Sequence, residues 1–301
     1  MTISRAQLAK ELEPGLNALF GLEYDRYEDE AAEIFESESS DRAFEEEVML
    51  SGFGTAPVKS EGSAISFDNA QETYTARYTM ETIALAFSIT EEAVEDNLYD
   101  SLAKRYTRAL ARSMSQTKQI KGASVMNNAF STASPIGDGA ALCSAAHPSL
   151  SGNQNNLLAT PADLNETSLE EILIQIAGFT DERGLKIAVR GTKLLIPKEL
   201  QFIAERIINS NLRPGSADND INAMKSMGML PEGAVVNHFF TDADAYFVKT
   251  DCPNGFKLFN RTPLKTAMEG DFDTGNMRFK ARERYSFGVS DWRCVFGTPG
   301  A

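Results

Sequence analysis

The sequence predicts an α+β fold, and three stretches carry that prediction. Tyr74, Ala76, Tyr78 and Met80 alternate strictly with Thr73, Thr75, Arg77, Thr79 and Glu81, a period of two that belongs to a strand. From Thr90 to Lys121 there is neither Gly nor Pro, which predicts one long helix. Between residues 164 and 284, segments of helical and strand character alternate, so neither class dominates.

Residues 1–50 come first. The stretch "EDEAAEIFESESSDRAFEEEVML" holds few large apolar residues, and we expect an extended arm with short helices. Ser51 to Gln71, "SGFGTAPVKSEGSAISFDNAQ", is broken by glycines and a proline. After Met80 the alternation changes phase, with Ile83, Leu85, Phe87 and Ile89 now apolar. Such a slip marks a bulge or a strand passing from one environment to another. The expected element is a long β-hairpin over 51–88, paired through Ala64–Asp68. Its apolar face would need cover from outside, since a lone hairpin is marginal in water.

The helix that follows has a capping-box spacing at Ser88 and Glu91. Val94, Leu98, Leu102, Tyr106, Leu110 and Met114 form an expected apolar stripe. Glu91, Glu92, Glu95, Asp96 and Asp100 precede Lys104, Arg105, Arg108, Arg112, Lys118 and Lys121, the order that the helix dipole favours. About 30 residues at 1.5 Å each give a strut of roughly 45 Å. "STASPIGDGA" and "SLSGNQNN" read as loops. "DLNETSLEEILIQIAGF" reads as an amphipathic helix that starts at Thr167 or Ser168. "LKIAVRGTKLLIP" is a buried strand pair or one kinked strand, and "KELQFIAERIINS" is a further helix. "GAVVNHFFT", "AYFVKT" and "FKLFNR" are short strands, and Met277 onward is a strand that sets Arg278, Lys280, Arg282 and Arg284 against Met277, Phe279 and Ala281.

Composition limits the function. The chain has 301 residues, 42% of them hydrophobic, enough for one large domain or two modest ones. No apolar run approaches the roughly 20 residues that span a bilayer, and the N-terminus lacks a signal-peptide core, so a soluble, non-secreted protein is expected. The net charge is −14, and residues 1–50 hold 14 acids against 4 bases. Such a chain is poorly suited to gripping nucleic acid by its phosphates. The three cysteines, Cys143, Cys252 and Cys294, do not form a disulfide pattern.

The segment "ALCSAAHPSL" is the most enzyme-like one. Cys143 and His147 could be metal ligands, a nucleophile with its base, or neither. A zinc site built from Cys143, His147, His238 and Cys252 would lack the second short ligand pair that such sites use. Pro148 and the nearby glycines argue against the helix that would bring Cys143 and His147 together. The bland alternative is a loop with a small buried thiol and a histidine that ties backbone together. "GTPG" at 297–300 is a turn, neither GxGxxG nor a Walker sequence occurs, and Asp242 and Asp244 lack the marks of an acid–base pair.

The order of parts and several stretches of wording carry a resemblance. "GFGTAPVKSEG", "YTMETIALAFSITEEAVEDNLYDSL", "ALARSMSQTKQIKGASVMNNAF", "ALCSAAHPSLSG", "RGTKLLIPKELQFIAERIINS" and "KARERYSFGVSDWRCVFG" cover about Gly52 to Gly297. In this order they resemble tailed-phage major capsid proteins, and within them the phage-Mu-like major head subunit group. The resemblance implies a Hong Kong 97-type fold. It would comprise an N-terminal arm (1–50), an extended hairpin or E-loop (51–88), a peripheral domain with the spine helix (89–132 and 266–301) and an axial domain (133–265). It also implies a structural protein rather than an enzyme, with no catalytic, cofactor or metal residues and no cofactor. The subunit would join hexamers and pentamers of an icosahedral virion shell, assembled in the bacterial host cytoplasm around double-stranded DNA. Some relatives carry a long N-terminal scaffolding extension for which this chain has no room, which implies a separate scaffolding protein beside a portal. The Lys, Asn and Glu of the founding member's cross-link find no counterparts here. The other readings are an encapsulin-like protein compartment and a hydrolase using Cys143 and His147.

Overall fold

The computed structural model describes residues 6–90, 92, 99–213, 220–271 and 274–301. They form two compact units. The first comprises the described residues within 1–44, 79–122 and 258–286, and the second those within 45–78, 123–257 and 287–301.

In the first unit, α1 (Ala6–Tyr24) and α2 (Tyr99–Asn127, whose last five residues belong to the second unit) pack on a four-stranded sheet of order β1-β8-β9-β4. The strands are β1 (Glu36–Ser39), β4 (Glu81–Ile89), β8 (Phe256–Gly270) and β9 (Met277–Val289). Leu16 and Phe20 of α1, Leu110, Ala111 and Met114 of α2, and Phe279 and Ala281 of β9 form its core. The acidic arm is therefore not a string of short helices, because its 19-residue α1 buries an apolar face. The expected stripe on α2 is also shifted. Ala103, Thr107, Leu110, Ala111 and Met114 are buried, whereas Tyr106 is half exposed. Steps of four residues drift around a helix of 3.6 per turn, so a stripe drawn at constant i+4 leaves the buried face. Val94 and Leu98 lie outside the described residues, as do Glu91, Glu95 and Asp96. Ser88 does not cap the helix, since it is paired within β4 to Arg278. The helix runs on through Gly122 to Asn127, with Ala123 and Met126 buried.

The second unit contains a two-stranded sheet, β2 (Phe44–Leu50) with β3 (Glu72–Thr79). The expected pairing through Ala64–Asp68 is not formed. β2 alternates in the opposite sense to a normal amphipathic strand, for Phe44, Glu46, Val48 and Leu50 are exposed and Glu45, Glu47 and Met49 are half buried. Hydropathy therefore hides it. The phase change after Met80 is real: β3 pairs with β2, whereas β4 pairs antiparallel with β9. Met80 stands between them, its N–H donating to the Ala43 carbonyl at 3.2 Å. The apolar face of β3 is covered by this chain itself. Gly137 backs onto Ala76, where a Cβ would meet backbone at 3.0 Å, and Gly288 lies under the Tyr78 ring, where one would meet it at 2.6 Å.

The core of this unit lies between a helix and a sheet of order β10-β7-β5-β6. The strands are β5 (Gly191–Pro197), β6 (Ala234–Asn237), β7 (Tyr246–Thr250) and β10 (Val295–Thr298). α3 (Glu166–Ala177) buries Leu169, Ile172, Leu173 and Ile176 in the same cluster as Leu194, Ile196, Tyr246, Val248, Trp292 and Phe296. Asn165, not Thr167 or Ser168, caps it. Its side chain accepts from Ser168 N at 2.8 Å, and its own N–H donates to Ser168 Oγ at 3.1 Å. This is a capping box with serine in place of the usual Glu or Gln. Gly191 starts β5, where a Cβ would sit 2.6 Å from Leu173 and 2.9 Å from Val248, so the helix and sheet approach closely only because it is glycine. "LKIAVRGTKLLIP" thus contributes one strand, β5. α4 (Gln201–Asn209) and α5 (Ala223–Met227) complete the unit. β8 is far longer than "FKLFNR", and the closing segment breaks after Val289 into a short 3-10 turn and β10. Residues 287–301 therefore share a core with 123–257 and not with 266–286.

Candidate functional site

The Cys143–His147 segment is an irregular loop held by its own polar side chains. Residues 141–143 are buried, and His147 pairs backbone to backbone with Gln154 at 2.7 and 2.9 Å. The buried imidazole lies parallel to the Trp292 ring, 4.3 Å from it and within 3°. Its Nδ1 is 2.6 Å from Asp138 Oδ2, and its Nε2 is 3.0 Å from Asn156 Oδ1. Asn156 is the centre of the knot. Its Nδ2 donates to the carbonyls of Leu142, Trp292 and Val295, while its Oδ1 also accepts from Ser144 N. This fixes the amide orientation, so His147 Nε2 must be the donor.

Both ring nitrogens of His147 are thus occupied, and neither is left to activate Cys143. Burial pushes the Cys143 thiol well above its ordinary pKa, the reverse of what a nucleophile needs. Gly297 makes room for the sulfur, since a Cβ there would come within 2.8 Å of Cys143 Sγ. His238 is exposed, and among the described residues no group of three or more His, Cys, Asp or Glu is placed to hold a metal. Cys252 lines a cleft of about 380 Å³ with Asp181, Glu182, Asp251, Asp291 and Arg293. Burial, followed by the Asp291 charge, pushes that thiol up as well. Asp244 N donates to Asp242 Oδ1 at 3.1 Å, so this pair forms a turn.

Sequence reasoning missed Arg293. Its Nη2 is 2.8 Å from Glu182 Oε1, its Nη1 is 3.2 Å from Asp291 Oδ1, and its Nε donates to the Thr180 carbonyl at 2.8 Å. Its guanidinium also lies 4.4 Å over the Trp292 ring. Burial opposes its charge, but Asp291 and then Glu182 outweigh burial and hold its pKa above the ordinary value. The only sequence signal was an Asp–Trp–Arg triplet inside an otherwise apolar closing stretch. A second polar knot anchors β2: Glu47 contacts Lys257 and Ser290, and Ser290 Oγ contacts Tyr78 OH.

Between β2 and β3, residues 51–71 form an irregular loop with large apolar side chains in water. Val58 is 98% exposed, Phe67 94%, Ile65 69% and Phe53 62%. One internal tie is Asp68, which accepts from Gly54 N at 2.7 Å. The loop thus exposes a cluster of apolar side chains, a kind of surface that commonly marks an interaction site.

The fold is the Hong Kong 97-type capsid fold, and it is recognisable at very low sequence identity. The capsid of an empty GTA particle is 13% identical, with 91% of this chain and 90% of that one covered at a TM-score of 0.58. The capsid of Myoviridae phage XM1 is 11% identical, with 89% of each chain covered at 0.55. A virus-like particle from Pyrococcus furiosus is 8% identical, with 94% and 97% covered at 0.54. No curated protein matches the chain. A family model described as phage capsid protein matches residues 73–297, so the chain belongs to that family and is a major capsid subunit of the phage head shell.

Proposed function

We propose that copies of this subunit join as hexamers and pentamers and close into the icosahedral head of a tailed phage, around double-stranded DNA. A separate scaffolding protein and a portal are its assembly partners in the host cytoplasm, and the subunit itself performs no catalysis. The observation that carries this reading is the 51–71 loop, where Phe53, Val58, Ile65 and Phe67 are exposed on a chain of capsid fold. Ordering that much apolar surface in water is unfavourable unless a neighbour covers it.

In the same reading, residues 1–50 act as the arm and 51–88 as the E-loop with its stem and return. The peripheral domain of 89–132 and 266–301 draws 89–122 and 266–286 from the first unit, and the axial domain of 133–265 draws 133–257 from the second. Packing supports moving 287–301 to the axial side. The test is expression with and without the neighbouring scaffold gene, followed by negative-stain microscopy and nuclease digestion. The expected result is closed shells that protect DNA when the packaging machinery is present. Monomers or dimers under every assembly condition would overturn the reading.

A further inference from the structure

The sheet of the first unit has one face on its core, and most of the described side chains on its other face are exposed. Leu264 and Met268 of β8, Ile83 and Phe87 of β4, and Phe279 and Ala281 of β9 point to the core. Alternation sends the residues between them the other way. On β4 these are Thr82, Ala84, Ala86 and Ser88, all exposed and small. Beside them, in register, stand Arg284, Arg282, Lys280 and Arg278 of β9. The same alternation adds Arg261 and Lys265 of β8.

Six cations thus share one sheet face of a chain whose net charge is −14. Arg278 pairs with Asp271. Among the described residues the other five have no ion-pair or hydrogen-bond partner, and Arg261 Nη1 and Arg284 Nε are buried atoms left unsatisfied. With acids outnumbering bases 43 to 29, five unmatched cations on one face are not expected of a surface made only to meet water. An acid directly opposite on the next strand would stabilise each of these cations, yet β4 offers only small neutral residues here. They leave a shallow bed beside a charged ridge.

We propose that this face docks the acidic segment 28–47 of a second copy of this chain. The inference rests on the shell reading above and deepens it. That segment holds ten acids and one base; Glu28, Glu36 and Asp41 are exposed, whereas Asp29 is held by Lys118 and Gln119 and Glu46 by Arg77 of their own chain. Part of it is the edge strand β1, where Glu36 and Glu38 alternate with serines. The cations of β9 repeat every two residues, about 6.8 Å, and so do acids on alternate positions of an extended chain. Nucleic acid fits less well. The ridge has no aromatic side chains between its cations to stack on bases, and the surrounding subunit is acidic.

Shells assembled from a mixture of 14N- and 15N-labelled subunits, treated with a carbodiimide and digested, test this. The expected products include mixed-isotope peptides that join Lys280 or Lys265 to a carboxylate of residues 28–47. The double variant Lys280→Glu with Arg282→Glu should keep the circular dichroism of the free subunit. Its shell yield should fall about tenfold or more, because like charges would then face each other. Glu28→Lys with Glu36→Lys in the same chain should restore part of the yield. If wild-type shells form but the reversal changes neither yield nor cross-links, the docking inference falls and the shell reading stands. If the reversal instead spares the shell and only weakens retention of DNA, the face serves nucleic acid and the inference is overturned. If the wild type forms no shells, both fall together.

Discussion

Truncating Asn156 to alanine strips partners from Leu142, Trp292, Val295, Ser144 and His147 at once. Buried groups left unpaired are costly, so Asn156→Ala should destabilise the subunit by about 3–5 kcal/mol. Cys143→Ala removes only a buried sulfur and should cost about 1–2 kcal/mol. Urea unfolding of the two variants would check the ranking, and a larger loss at Cys143 would mean that the thiol does more than fill space. Glu283 gives a pH test. It is buried on β9 and accepts from Tyr24 OH at 3.2 Å, and burial raises its pKa although Lys118 and Tyr24 oppose the shift. A carboxyl whose folded pKa is raised binds its proton more tightly in the native state. Its contribution is therefore favourable below the unfolded value and is lost as pH rises through the folded one. Glu283→Gln should raise the urea midpoint at pH 7 and leave it almost unchanged near pH 3.5. A lower midpoint at neutral pH would mean that the charged form is the stabilising one.

Among the elements, α1 and β2 were the hardest to read. α1 lies in a segment dominated by charge, and its value comes from Leu16 and Phe20, which meet Phe279 and Met114 in one cluster. Phe20→Ala should cost about 3–5 kcal/mol, as for other buried phenylalanines. A loss under 1 kcal/mol by thermal unfolding would restore the picture of a loose arm. β2 could not be seen in hydropathy because its inward positions are Glu45, Glu47 and Met49, and Glu47 is held by Lys257, 210 residues away. β3 and β4 were legible for the opposite reason, since both alternate apolar and polar residues, and the slip at Met80 marked the change of sheet. The long helix was legible in type, but it runs past the expected end at Lys121 to Asn127, and its buried face depended on what lay beneath it.

At the scale of the whole molecule, loop 51–71 and the shell are one question. The cut that tests it must spare β3, because Ala76 and Tyr78 are core residues of their own chain. Replacing residues 54–68 with a short Gly-Asn turn should leave the Ser51–Gln71 backbone pair intact. The variant should keep its helical circular dichroism and thermal midpoint and yield no closed particles by electron microscopy. Normal particles would show that the loop's exposed apolar residues are not contacts between subunits, and unfolding would show that the loop supports its own chain.

The sequence alone determined the α+β class, the long helix, the change of strand phase and the capsid resemblance. Each of these is written in local periodicity or in the order of segments. The tertiary structure decided which strand pairs with β3, which residue caps α3, and where the closing strand packs. It also turned Cys143 and His147 from a candidate pair into parts of a buried knot. The reason is physical: a hydrogen bond such as His147 to Asn156, an ion pair such as Arg293 to Glu182, or a contact such as Gly191 to Leu173 joins residues that periodicity cannot connect. Where burial is satisfied by polar partners brought in by the fold, hydropathy along the chain carries no trace of it.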